Sequence, residues 1–209
     1  MKLNLILLFF TLTLLSCQTK TVEESGVIAS DIDRFWKAYD TIKTQSDPLV
    51  QQKLIEELYI RQASPGLKGM IQAKQYTSGD YIDMINRFPL FLESVKPNTL
   101  KAHELSEDLE KGIEKLRLVY PQLKPAKIYF TIGAMRSGGT TMDSLVLIGS
   151  ELAMVDEQTN ISEFEGRSKA WIENYIATKP LENIVLLNVH EYVHTQQQST
   201  PNSLLYQCL

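Results

Sequence analysis

His190, Glu191 and His194 stand as His-Glu-Tyr-Val-His near the end of a 209-residue chain. Residues four apart lie one above the other on an α-helix, so His190 and His194 direct two imidazoles to one point, where a zinc ion takes nitrogen ligands at about 2.0–2.1 Å. Glu191 is offset by one position, which sets its carboxylate beside the ion rather than on it. A metal in that clamp activates water and polarises a carbonyl, while the glutamate takes the proton and passes it to the leaving amine. The pattern points to Zn2+ chemistry of the metallopeptidase type, with His190 and His194 as metal ligands and Glu191 as general base.

A catalytic zinc needs a third protein ligand and one open position. Gln197 and Thr200 stand where a metzincin has Gly and His, so that class is excluded. The remaining histidine, His103, falls in a polar amphipathic stretch and reads as exposed. Cys208 goes with Leu204, Leu205 and Leu209 on a helical core face. A glutamate from a helix after the metal helix is the other arrangement. Asn202 or Ser203 caps a helix that reaches Leu209 after less than two turns, too short to stand as a terminus. The expectation is a chain truncated at its C-terminus, with the third ligand past Leu209.

The elements around the motif read as α+β, mostly helical with a small sheet. Pro180 suits a first helical position, and a helix over 181–198, apolar almost throughout its first half, predicts an element through the centre of the domain. Ile128 to Ile132 ends at Gly133 and Leu145 to Ile148 ends at Gly149; these predict strands near 127–133 and 144–150, paired as a hairpin and packed on the metal helix. Gly138-Gly139-Thr140 lacks the lysine of a phosphate loop and is either a plain turn or the edge of a substrate cleft. Arg136 beside it is either a partner for a substrate carboxylate or simply solvated.

Ahead of the strands, apolar residues recur at three- and four-residue steps over 31–42, 49–60, 81–95 and 103–119, with an interruption at Ser64-Pro65-Gly66 and a break at Arg87-Phe88-Pro89. Residues 156–167 read as loop and 169–176 as helix.

The segments KIYFTIGAMRSGGTTMDSLVLIGSELAM and NIVLLNVHEYVHTQQ together resemble the predicted zinc-dependent proteases related to the gliding-motility lipoprotein B of Bacteroidetes. The resemblance covers Lys127 to the end. It implies a zincin-like fold of the gluzincin type, in which a strand, a Gly-Gly-Thr turn and a second strand precede the metal helix and a glutamate on the next helix completes the site. It carries His190 and His194 over as ligands and Glu191 as base, and leaves the third ligand without a matching position.

The N-terminus places the chain in a compartment. Met1-Lys2 precedes an apolar run from Leu3 to Leu15, about half the length of a bilayer-spanning helix, then Ser16-Cys17. Residues 1–16 predict a lipoprotein signal peptide, with Cys17 acylated and residues 17–28 a polar tether to a domain over 29–209. Gln18, rather than Asp, predicts the outer membrane of a Gram-negative envelope. Loss of Lys2 on cleavage takes the net charge from −4 to −5. Charges of both signs interleave, which excludes a nucleic-acid stripe. With Cys17 lipidated, Cys208 has no partner for a disulfide.

These readings predict a zinc-dependent envelope peptidase acting on a peptide or protein substrate. The alternative is a non-catalytic envelope lipoprotein that keeps a zincin fold within a motility or secretion complex. A purely structural zinc site is disfavoured, because such sites are usually closed by cysteines.

Overall fold

The computed structural model describes residues 26–197. The signal segment, Cys17, the tether up to residue 25 and the short helix expected from Ser203 lie outside the described residues.

The expected tether runs to residue 28, but its last two residues, Val27–Ile28, form strand β1. Helix α1 (Ser30–Ile42) follows, with Asp31 and Asp33 complementing its N-terminal dipole and Ile32, Phe35, Trp36, Tyr39 and Ile42 buried on one stripe. Helix α2 (Pro48–Leu58) is capped by Asp47, which accepts from the Leu49 N–H at 2.9 Å. Ser64-Pro65-Gly66 does more than interrupt. Ser64 Oγ accepts from the N–H groups of Gly66 and Leu67 at 3.1 and 3.2 Å, and Pro65 opens α3 (Pro65–Lys74). The buried Asp31 carboxylate accepts from Ser64 N at 3.2 Å and from its hydroxyl, tying the start of α1 to the start of α3.

Helix α4 (Ser78–Arg87) has a Thr77–Asp80 capping box and stops at Phe88, and Pro89 restarts the chain as α5 (Pro89–Leu100). Two orphan N–H groups at that restart, on Leu90 and Phe91, donate to the Glu163 carboxylate at 3.0 and 2.9 Å. Helix α6 (Ser106–Val119) completes the helical half.

Strands β2 (Lys127–Thr131), β3 (Gly139–Met142) and β4 (Leu145–Gly149) join β1 in one sheet of order β1-β2-β4-β3. The expected hairpin of the two apolar strands is not formed. β2 and β4 run parallel, in register from Lys127–Leu145 to Thr131–Gly149, and the hairpin is instead β3–β4 across Asp143-Ser144. Unbroken apolarity belongs to parallel strands covered on both faces, which is the reason these two do not alternate. Gly138-Gly139, one reading of which was a turn, leads into the edge strand. Helices α7 (Ser150–Ala153), α8 (Gly166–Ala177) and α9 (Ile184–His194) follow.

Helix α3 lies flush on one sheet face: a Cβ on Gly66 would come within 2.1 Å of the Tyr129 ring, and one on Gly69 within 3.2 Å of Leu147. By the pleat, Ile128, Phe130, Val146 and Ile148 face the other way, as does Gly139 opposite Ile148. α9 packs on β3 and β4 from that side. The domain is α+β, mostly helical, with a small mixed sheet.

Candidate metal centre

The site is built on α9, and its setting corrects one sequence expectation. The helix is shorter than 181–198 within the described residues, and it is not buried all round. Ile184, Asn188 and Tyr192, four apart, make its buried stripe, while Leu186 stays 67% exposed and His190 and Val193 face outward. The run Ile-Val-Leu-Leu contacts the sheet on one side and α6 on the next, which leaves a third side open. Gly112 of α6 makes room for that second contact, because a Cβ there would meet Val189 at 3.0 Å and Val185 at 3.3 Å.

The C-terminal turn of α9 is fastened to the loop before β2. The Tyr192 hydroxyl accepts from Ala126 N at 2.8 Å and donates to Lys124 O at 3.3 Å. Gln196 binds the backbone of Lys124 twice, accepting from its N–H at 2.8 Å and donating to its carbonyl at 3.1 Å. Asn188, buried under the site, donates to Ile184 O at 2.8 Å, and its Oδ1 has no hydrogen-bond partner among the described residues.

His190 and His194 come together as their spacing requires. Their Nε2 atoms are 3.0 Å apart, with rings 83° to each other. Two nitrogens bound to one tetrahedral zinc at about 2.05 Å are roughly 3.3 Å apart, so the pair closes on an ion with little movement. Gln197, which the sequence reading used only to exclude a class, lies with Oε1 3.0 Å from His194 Nδ1. With Nδ1–H donating to that amide oxygen, the Nε2 lone pair is left for the metal, the tautomer a ligand needs.

Glu191 points from the same helix to the sheet. A Cβ on Gly139 would sit 3.0 Å from Glu191 Oε1 and 3.2 Å from its Cδ, so the carboxylate lies over the start of β3 in space that only glycine leaves clear. The second glycine, Gly138, makes room for the Tyr175 hydroxyl in the same way, at 2.8 Å.

The loop from β2 to β3 is held by groups that sequence reasoning passed over. Glu151, fully buried just after β4, accepts from Gly133 N at 2.9 Å and from Met135 N at 3.1 Å. Burial pushes its carboxyl up to about 7 from an ordinary 4.5, against the opposing pull of those N–H groups and its own. Tyr59 and Tyr81 both donate to Ile132 O, at 2.7 and 3.3 Å, and burial holds both hydroxyls protonated far above their usual range. An acid directly behind an apolar strand was the available signal for Glu151.

Other candidates are used elsewhere. His103 is exposed in a 3-10 turn (Lys101–Glu104) with Nε2 3.1 Å from Asp33 Oδ1. Arg136 is spent on the fold, pairing with Asp80 at 2.5 Å and donating to the carbonyls of Lys74 and Gln75. Among the described residues, no three or more His, Cys, Asp or Glu side chains gather to hold an ion, so the pair supplies two donors. Cys208 and Cys17 lie outside the described residues. Comparison with protein-family models, curated proteins and solved structures finds no match to this chain.

Proposed function

We propose that the protein is a zinc-dependent peptidase of the cell envelope with a zincin-like fold, lipid-anchored at Cys17 in the outer membrane. The observation that carries this reading is the closing of His190 and His194 Nε2 to 3.0 Å, with Glu191 beside them against the edge strand. A zinc ion held by the pair supplies Lewis acidity, making water nucleophilic at neutral pH and polarising a peptide carbonyl.

The chain's own groups account for the remaining steps. The Gly149 N–H donates to Gly138 O, and antiparallel alternation then turns the Gly139 and Thr141 backbone groups away from β4. Ser137 Oγ donates to Gly139 O at 2.6 Å, which leaves the Gly139 N–H and both Thr141 groups directed outward. The outer side of β3 has no strand partner among the described residues, so an extended peptide added there runs past Glu191. Glu191 takes a proton from water at its carboxylate and delivers it to the leaving nitrogen.

The test is zinc stoichiometry and peptide cleavage for wild type and Glu191→Gln. The variant is expected to keep its zinc and lose cleavage by a factor of about 10²–10⁴. Equal cleavage by the two proteins removes Glu191 as base. A wild type that folds and binds zinc without cleaving any peptide supports instead the alternative, a non-catalytic lipoprotein of a motility or secretion complex.

A further inference from the structure

Three consecutive large apolar side chains at the end of α6 point to solvent: Leu118 is 82% exposed, Val119 80% and Tyr120 43%. They are held there. Leu123, three residues past Tyr120, is buried, and Arg117 donates to its carbonyl at 3.2 Å, which ties the returning loop to the end of α6. The segment that carries the three side chains is basic, although the helix before it holds acids up to Glu114. From Lys115 to Lys127 the chain carries Lys115, Arg117, Lys124 and Lys127 and no acid, within a protein of net charge −4. Arg117 pairs with Glu114 at the margin, while Lys115 and Lys124 are exposed. Another exposed apolar pair, Leu49 and Val50 on α2, lies instead among Asp47, Lys53, Glu56 and Glu57.

An apolar knob flanked in sequence by exposed lysines matches an anionic phospholipid surface: aliphatic side chains enter the acyl boundary, a tyrosine sits at headgroup level and lysines meet phosphates. No helix among the described residues is long and apolar enough to cross a membrane, so the contact is with the surface. Position in the fold selects the same occupant. Gly26, the first described residue, accepts from Ile128 N at 2.7 Å and lies against Ala126 O, two residues past Lys124. The chain leading back to Cys17 therefore joins the domain at the corner that carries the knob.

We propose that Leu118, Val119 and Tyr120, with Lys115 and Lys124, form the surface on which the domain rests against an anionic bilayer. The orientation rests on the lipid-anchor reading of Cys17. Because Gln196 and Tyr192 bind α9 to the Lys124 peptide, this seating brings the His194 end of the metal helix to the membrane side.

The test uses the full-length protein with Val119→Cys in a Cys208→Ser background, carrying an environment-sensitive fluorophore. It is reconstituted in vesicles of phosphatidylethanolamine and phosphatidylglycerol with brominated acyl chains, and Leu49→Cys serves as control. Quenching at position 119 but not at 49 is expected. Protein anchored to the vesicles and quenched equally at both positions overturns the surface and leaves the anchor standing. If the protein carries no lipid, the anchor fails separately and the protein with Cys17→Ser added, so that position 119 alone takes the dye, is mixed with the vesicles. Quenching at 119 then still supports the surface, with partition about thirtyfold weaker in Lys115→Gln/Lys124→Gln, and absence of quenching overturns it. A spectral shift at 119 that grows with protein concentration and needs no vesicles assigns the knob to a second copy, and also overturns the proposal.

Discussion

Glu151 and Glu191 are two carboxylates near the same loop in opposite surroundings, and the contrast sorts their roles. Glu191 is half-buried, on the helix of the two imidazoles and over the edge strand; Glu151 is sealed among backbone N–H groups and tyrosine rings, with no cation among the described residues against it. On the proposed reading the first exchanges a proton with a substrate, while the second holds the loop that leads to Gly139. Its raised pKa gives Glu151 a stability signature. A carboxyl whose folded value lies near 7 and unfolded value near 4.5 contributes fully below pH 4.5, and the contribution is lost as pH rises through 7. Wild type should lose about 2–3 kcal/mol from this group between pH 5 and pH 8. Glu151→Gln cannot ionise and should lack that slope, so urea unfolding of both proteins at the two pH values decides it. Parallel slopes would remove Glu151 as the source. The approach of His190 and His194 was legible because helical spacing alone brings the two rings together. The glycine under Glu191 and the amide behind His194 were not, since both follow from tertiary placement.

At the scale of elements, what matters is how closely α9 and β3 approach. Gly139→Ala sets a methyl 3.0 Å from Glu191 Oε1, the far end of a flexible side chain, so the helix need not move. The variant should lie within about 1 kcal/mol of wild type and keep its zinc. Cleavage should fall about tenfold or more, because a displaced base is costly well before a displaced fold is. A large loss of stability with full activity per folded molecule would show that the contact is packing only. Helices with a clear stripe, such as α1, and the stop between α4 and α5 were readable from spacing and proline. β3 was not, because Gly-Gly-Thr-Thr-Met has neither alternation nor bulk. The relation of β2 to β4 was misread because two apolar strands close in sequence suggest a hairpin, and only the intervening β3 makes them parallel. α9 was judged buried from its apolar run, although its buried members include the polar Asn188 and its exposed ones Leu186.

Across the whole molecule, the helical half and the sheet meet mainly at α3, and Gly66 sets how closely. A methyl there would fall 2.1 Å from Tyr129 Cγ, on a ring with no room to retreat, so Gly66→Ala must lift α3 off the sheet. We expect a loss of about 3 kcal/mol or more, read from the denaturant midpoint, although alanine is the better helix former by about 1 kcal/mol. Gly69→Ala, facing the mobile tip of Leu147 at 3.2 Å, should cost far less, and equal losses would refute this account of the interface. The small strand β1 has a consequence of another kind. Val27 pairs with Ile128 and Ile28 with Tyr129, so the first described residues find their partners only after a hundred further residues exist. Loop closure of that span is among the costliest in the fold, and local helices can form long before it. β1 is therefore a late seal: the Ile128 amide, bonded to Gly26 O, gains protection from hydrogen exchange only when the segment at Gly26 has reached β2.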